Sequence, residues 1–515
     1  MILMRQSFSL PMSRRSFAKL MGAAVAGTLL GNDMGRAKAA AHPAAVPGFS
    51  GKGLPVLYDS DVCVVGGGAA GTAAAVNAAR RGAKVVLVER GILLGGLQTL
   101  GCVYPCMPTF VHGSDTPYIN ELNKRMEKQG ASPLLGVDAG EWFYGDGKGL
   151  YAPEILSLVY EEMCGEAGVE ILYDASLVGA VTENGRIKEC VVHTVEGLGK
   201  VRAKTFIDAT GDAALARYAG VPVEKGSEET GRNQPMSLRF EMTGVDVEKV
   251  FHFFDGVLQD ERMAAPLKER FQEDAAHGCP PYLEFAKIPK NEHFFKEAVA
   301  NGDLTEDDIL YIQGFSIIGK PHTMSLNCPE MPPLAYSSTD AVSRSKAVSF
   351  GRLMMHRLAG FFIKRIPGFE KAYISKEASM LGVRESWRIR GKYRLDAEDY
   401  FEARHFSDAI CRTAYPIDIH DVKLNVSKKI ARDAYYEIPY RALVTNEIEN
   451  LIVAGRCISG SFAAQASFRI QPTCMSMGEA AGIAAAWGLR NKVAANNIQW
   501  DKLPAGERSY VSKDY

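Results

Sequence analysis

The 515-residue chain is poor in the features that mark several protein classes. Its formal net charge is −1, so it lacks the basic excess of a nucleic-acid surface. No apolar run reaches the ~20 residues that span a bilayer, which argues against stable membrane insertion. There is no C-x-x-C-H for haem attachment, no H-x3-H pair and no clustered four-cysteine set, so no metal site is expected. No repeat or low-complexity tract follows residue 55. What remains is 47% hydrophobic and 23% charged, an ordinary soluble composition, and the length suggests two or three domains. Glycine is the exception: 50 residues against a typical ~7%. The ten cysteines acquire meaning only with a compartment.

The compartment is legible near the start. Ser13-Arg14-Arg15-Ser16-Phe17-Ala18-Lys19 is a twin-arginine sequence, followed by a weakly apolar run from Leu20 to Gly31 and a small-x-small Ala37-Lys38-Ala39. The run is too short to span a bilayer, so residues 1–39 read as a cleaved export signal. The expected location is periplasmic or extracytoplasmic, with the twin-arginine translocase as a partner. That route carries folded proteins and suits a cofactor inserted beforehand. The segment holds six cations against Asp33, a net of +5, leaving −6 for the rest of the chain. Residues 40–55, rich in Pro, Gly and Ala, read as a linker.

Asp61–Val65 is a short β-branched run, as in a buried parallel strand. Gly66-Gly67-Gly68-Ala69-Ala70-Gly71 follows, then a small-residue helix from Thr72 to Arg81 and a second strand, Val85 to Val88, ending at Glu89-Arg90. Gly66 serves a tight turn, Gly68 the approach of a pyrophosphate, and Gly71 the close packing of helix on strand, with Ala70 a further cofactor-binding residue of the loop. The helix N-terminus favours phosphate, and Glu89 is placed to accept from ribose hydroxyls. A dinucleotide site follows from this combination.

Further residues distinguish FAD from NAD. Gly95-Gly96, with Gln98 just beyond, offers a second close approach to the diphosphate. After a strand-rich meander (Val169 to Val201), in which Val178 is placed to meet adenine through its backbone, a strand ends in Ala209-Thr210-Gly211. Asn450–Ala454 is another strand, ending at Gly455-Arg456. Pro472-Thr473 then opens an Ala/Gly helix through Leu489. The positive end of such a helix beside the flavin pyrimidine edge stabilises charge on the reduced ring. A second G-x-G-x-x-G after a strand is missing, so no NAD(P)H domain is expected, and electrons must pass through a small donor, a quinone, an exported cytochrome or oxygen.

These stretches make the chain resemble the FAD-dependent oxidoreductases of the glutathione-reductase-like superfamily, and more closely a broad bacterial FAD-dependent oxidoreductase family. The motifs carrying the resemblance include VVGGGAAGTAAA, LLGGLQT, IDATGD, LGVRESWRIRGKYRL, YPIDIHD, IPYRALV and NLIVAGRCISGSFAAQASFRIQPTCMSMGEAAGIAAA, in order between Asp61 and Trp487. The resemblance implies an α/β fold: a Rossmann-like FAD-binding domain split into residues 56–220 and 440–490, around an inserted α+β substrate or cap domain (221–439), with a tail at 491–515. An antiparallel sheet is expected in the insert. Residues 247–310 read as mostly helical, and Ser337 to Ile366 as one long helix stopped by Pro367-Gly368.

Candidates for chemistry lie in the insert and on loops facing the ring. In Arg384-Glu385-Ser386-Trp387-Arg388, a helical reading puts Arg384 and Arg388 on one face. Arg384 either meets substrate or belongs to an Arg–Glu clamp between domains. Arg469, just before the last helix, binds substrate or steadies FAD. Asp418-Ile419-His420-Asp421 offers the best general acid/base, with a carboxylate to fix the imidazole; His112, Tyr104 and His322 are weaker alternatives. Cys102 and Cys106 follow the Gly-Gly pair at C-x3-C spacing, but Leu97 and Gln98 occupy the nearer positions of a disulfide-reductase redox pair. Packing, a disulfide, flavin attachment and thiol chemistry stay open for them, while Cys457 and Cys474 read as small buried residues. The expected activity is hydride transfer between FAD and a small polar or anionic substrate, a sugar derivative or carboxylate. The alternatives are an electron-shuttling flavoprotein and a thiol–disulfide oxidoreductase.

Overall fold

The computed structural model describes residues 51, 53–104, 106–111, 116–129, 151–258, 284–287, 291–317, 319–420, 426–428, 430 and 434–512. The twin-arginine segment, most of the linker, His112 and Asp421 lie outside the described residues. The described residues between 51 and 512 belong to one compact unit.

β1 (Val56–Val65) lies inside a seven-stranded sheet whose order is β3 (Glu170–Leu172), β2 (Val85–Val88), β1, β6 (Gly197–Asp208), β5 (Arg186–Thr194), β4 (Ser176–Glu183). Strand Leu451–Val453 pairs beside the end of β6. The pairings are parallel from β3 to β6 and on to Leu451–Val453, and antiparallel from β6 to β4. Val62, Cys63 and Val64 are fully buried, which accounts for the uninterrupted apolar reading of this strand. Register aligns Val65 with Val88 and Asp208, and Asp208 with Val453. Four parallel strands therefore end together, and ligands of open α/β sheets bind outside such carboxyl ends. The fold is α/β with a parallel sheet completed by a strand from late in the sequence, as expected.

Glycines set the distance between the two helices that cross this end. Helix α1 (Ala69–Ala79) packs on the Gln471–Asn491 helix. A Cβ on Gly478 would lie 2.0 Å from the Ala70 carbonyl oxygen, and one on Gly482 would lie 2.3 Å from that of Ala74. Backbone-to-backbone packing this close admits no side chain.

Elsewhere, strands Glu284–Ala286, Gln313–Ile317, Lys320–Leu326, Phe240–Thr243 and Tyr373–Glu377 form an antiparallel sheet in that order. The long helix spans Ala341–Arg365; the Asp340 carboxylate caps it, accepting from the Ser343 amide at 2.7 Å. Within 247–310 the described residues are mostly helical, as expected. Helices Val247–Leu258 and Glu292–Ala300 are present, but Glu284–Ala286 is an edge strand.

The helical reading of 384–388 is overturned. Gly382–Val383 and Trp387–Ile389 are short strands, paired with Met236–Ser237 and Val223–Lys225. Cross-strand hydrogen bonds to two separate segments outweigh local helix preference, so Arg384 and Arg388 do not share a helix face. Arg388 is 1% exposed; it pairs with Glu385 and donates to the Gly460 and Gly226 carbonyls. It is the structural clamp, and Arg384 has different partners.

Candidate functional site

A cleft of about 520 Å³ opens where the parallel strands end, within the range of small-molecule and cofactor sites. The glycine loop forms its floor. Gly66, at φ +101°, donates its amide to the Val88 carbonyl, and a Cβ there would lie 2.6 Å from the Ala209 oxygen. Gly68 is the N-cap of α1, no side chain caps that end, and a Cβ on it would meet nothing within 4 Å. The first-turn amides of α1 therefore have no side-chain cap at the cleft. Gly95 donates to the Gly67 carbonyl, which fastens the second glycine pair against the first.

Most residues assigned to the cofactor from sequence line this cleft: Gly66, Gly68 and Ala70, Glu89 and Arg90, Gly95, Gly96 and Gln98, Ala209 to Gly211, and Gly455 with Arg456. Gly71 stands behind the loop, where a Cβ would fall 1.7 Å from the Gly66 oxygen. At the end where adenine was expected, Ala175 to Leu177 form the wall. Val178 is the next residue, at an irregularity in the β4–β5 pairing, and does not line it. Pro472 likewise yields to its neighbours Gln471 and Cys474. Glu89 is 4% exposed, and its carboxylate accepts from the Gly67 amide at 2.6 Å and the Gly91 amide at 2.7 Å. It thus shapes the glycine loop as well as facing the cleft.

Four arginines (90, 344, 456 and 469) and two carboxylates (Glu89 and Asp212) line the cleft, an excess of positive charge suited to a diphosphate. Asp212, quoted only as part of a motif in the sequence, ties the wall together. It pairs with Arg456 at 2.7 Å and Arg344 at 3.1 Å and accepts from Ser386 at 2.6 Å. Burial disfavours its charge, but Arg456 and Arg344 outweigh that and lower its pKa to about 2. Among the described residues, the Nε atoms of Arg344 and Arg469 are buried without a hydrogen-bond partner. An uncapped helix end, glycines that a side chain would obstruct and unmatched guanidinium nitrogens fit the dinucleotide.

The three catalytic candidates meet through two acids. Arg384 pairs with Glu330 at 2.9 Å and donates to the Pro235 carbonyl. Glu330 faces His420 Nδ1 at 3.1 Å, and His420 Nε2 faces Asp418 at 3.3 Å. Asp418 in turn pairs at 3.0 Å with Arg469, on the cleft wall. Burial and Arg384 push His420 towards neutrality, but Asp418 and Glu330 prevail and raise its pKa. Burial opposes the charges of Glu330 and Asp418 too, yet Arg384 and His420 lower the first, while His420 and Arg469 lower the second. Tyr311 packs edge-on against the imidazole. Glu330 lay outside every motif, and only the fold brings it to His420.

The weaker candidates have other settings. Tyr104 is buried and bonds Glu241, while His322 Nδ1 lies 3.3 Å from the Val245 carbonyl oxygen. Cys102 and Cys106 are buried and unbridged. Burial raises the Cys102 thiol, which disfavours the thiolate needed for exchange. Cys457 and Cys474 are buried as expected.

A family model described as FAD dependent oxidoreductase matches residues 61–505. A thiamine thiazole synthase from Aeropyrum pernix is 30% identical over 211 residues, 39% of this chain and 71% of that protein. A digeranylgeranylglycerophospholipid reductase from Methanopyrus kandleri is 30% identical over 199 residues, 38% of this chain and 48% of that protein. Among solved structures, a geranylgeranyl bacteriochlorophyll reductase-like protein from Thermoplasma acidophilum has a TM-score of 0.38 at 13% identity, covering 86% of this chain and 82% of its own. A flavin-dependent brominase has a TM-score of 0.44 at 12% identity, covering 86% and 81%.

Proposed function

The chain belongs to the FAD-dependent oxidoreductase family, and from that premise we propose that it is an exported enzyme moving a hydride between FAD and a small polar or anionic organic substrate, such as a sugar derivative or carboxylate. The observation that carries this reading is the alternating chain Arg384–Glu330–His420–Asp418–Arg469, which ends on the cofactor cleft. When bound there, FAD supplies the two-electron chemistry.

The protein's own groups supply position and protons. Arg384 and Arg469 fix two carboxylates that hold the imidazole of His420 by both nitrogens. The His420–Asp418 pair shares the proton at Nε2 that is given to a developing alkoxide in one direction, or taken from a hydroxyl in the other. The signal read in residues 1–39 supports export by the twin-arginine route to the periplasm, with a quinone or exported cytochrome as electron partner.

The test is anaerobic. The FAD-loaded protein is mixed with sugars, polyols, hydroxy acids and, after chemical reduction, with enoates and ketones, while the visible spectrum is followed. One class should bleach or restore the flavin, and Arg384→Met and His420→Gln should retain FAD but slow that change by about 100-fold, the low end of general acid–base contributions. Unchanged rates in both variants would remove the network from the chemistry. Replacing Arg14 and Arg15 by lysine should hold the protein in the cytoplasm; undiminished export would refute the location.

A further inference from the structure

We infer that the substrate carries a carboxylate and that Arg239, together with Arg384, receives it. This rests on the flavoenzyme reading above and narrows it to one substrate class.

Arg239 is an arginine with an unusual environment. It is 9% exposed. One nitrogen, Nη1, donates to the Tyr104 carbonyl at 2.9 Å and the Cys102 carbonyl at 3.4 Å, and its Nε is buried without a partner. Among the described residues no carboxylate pairs with it. The groups that act on it most strongly are Arg384, Tyr311, Tyr104 and Cys102. A buried guanidinium ordinarily has an acid beside it, because an uncompensated charge in a dry site is costly. Arg384 and Arg469 obey that rule through Glu330 and Asp418. With Arg239 added, three arginines face two carboxylates, and a protonated His420 enlarges the excess.

The position of Arg239 points to substrate. Val103, between the two residues whose carbonyls hold it, accepts a hydrogen bond from Gln471 at 2.7 Å. Gln471 and Arg469 both line the cleft, on either side of Ile470, the N-cap of the last long helix. One path from that helix end leads through Val103 to Arg239, and the other leads through Asp418, His420 and Glu330 to Arg384. Ser237, two residues before Arg239, forms a β-bridge with Glu330, the acid that pairs with Arg384, and so closes the ring. Gln234 precedes the proline whose carbonyl holds Arg384; it is 1% exposed, and both its amide oxygen and nitrogen lack partners. It offers one donor and one acceptor for an oxygenated substituent. Burial and Arg384 lower the Arg239 pKa to about 10, so it stays charged at neutral pH. A planar guanidinium receives a carboxylate by two parallel hydrogen bonds. The indicated class is a hydroxy- or oxo-carboxylate.

Direct binding tests this. FAD-loaded protein is titrated at constant ionic strength with glycolate and acetate, and with ethylene glycol as the neutral counterpart. The flavin spectrum and the thermal midpoint are both read. The expected result is a saturable spectral change and a raised midpoint with the carboxylates only. Arg239→Gln should weaken that binding at least tenfold with FAD content unchanged, and Arg239→Lys should fall between. Absence of a saturable response in the wild-type protein, or wild-type binding by Arg239→Gln, would overturn the assignment. Should Arg239→Gln not fold, the wild-type titration and Arg239→Lys decide, with equal affinity in the two refuting it. FAD binding and reduction by neutral polyols without any carboxylate response would sink this inference alone; failure to bind FAD would sink the flavoenzyme reading.

Discussion

Replacing Gly478 by alanine adds one methyl group at the tightest point of the cofactor support. That carbon would lie 2.0 Å from the Ala70 carbonyl oxygen and 2.7 Å from its carbon, whereas real Cβ contacts essentially never fall below 3.0 Å. The obstacle is backbone, so no rotamer change relieves it, and the two helices must separate by roughly 1 Å or more. Overpacking of this kind costs about 1–3 kcal/mol, offset by up to ~1 kcal/mol from removing a helical glycine. Taking the upper end for an immovable neighbour leaves a loss of about 2 kcal/mol. The shift also moves α1, whose first turn faces the diphosphate end of the cleft. Thermal unfolding with flavin release as the readout should therefore show a midpoint lowered by about 2 °C and earlier loss of FAD. Gly360→Ala is the control, because Gly360 is helical, exposed and meets nothing within 4 Å; it should gain about 0.5–1 kcal/mol. A Gly478→Ala protein as stable as wild type, holding FAD equally well, would refute the close-packing account.

Other expectations concern charge and thiols. Asp212→Asn removes the shared partner of Arg344 and Arg456, and should cost about 3 kcal/mol and weaken FAD retention. Because the Asp212 pKa is lowered to about 2, its contribution is present above the usual carboxylate range and is lost only as pH falls towards 2. An acid titration of stability should show this step in wild type and not in the variant. His420 has the opposite sign: its pKa is raised, so its ion-pair stabilisation is complete below about 6.5 and fades as pH rises through the folded value. Carbonyl reduction should decline over the same range, and His420→Gln should flatten that profile. Cys102→Ala with Cys106→Ala should cost about 1 kcal/mol and leave turnover intact, whereas abolished turnover would restore the thiol–disulfide alternative.

The cofactor half of the molecule was legible in sequence because its chemistry is written in local backbone demands. Gly66 needs a positive φ, Gly71 has no room for a Cβ, and β1 is buried along its apolar end, so motif and structure coincide. The substrate half was less legible. Arg384, His420 and Arg469 were picked as three separate candidates, and the acid that joins two of them, Glu330, sits in a stretch with no motif. Its role depends on a contact between residues 90 apart in sequence, which no spacing rule reveals. Arg239 was overlooked because a single arginine between two short strands carries no signal until its missing counter-ion is seen. The helix expected at 384–388 failed for a physical reason: four-residue charge spacing says little where short strands have partners from both sides.

The most direct measurement is reconstitution of the purified protein with FAD, followed by visible absorbance after removal of free flavin. The account predicts one tightly held FAD per chain in wild type. It predicts little or none in Gly66→Ala, whose new Cβ would meet the Ala209 carbonyl at 2.6 Å. A wild-type protein that takes up no FAD, or a Gly66→Ala protein that takes up just as much, would contradict the placement of the cofactor in this cleft.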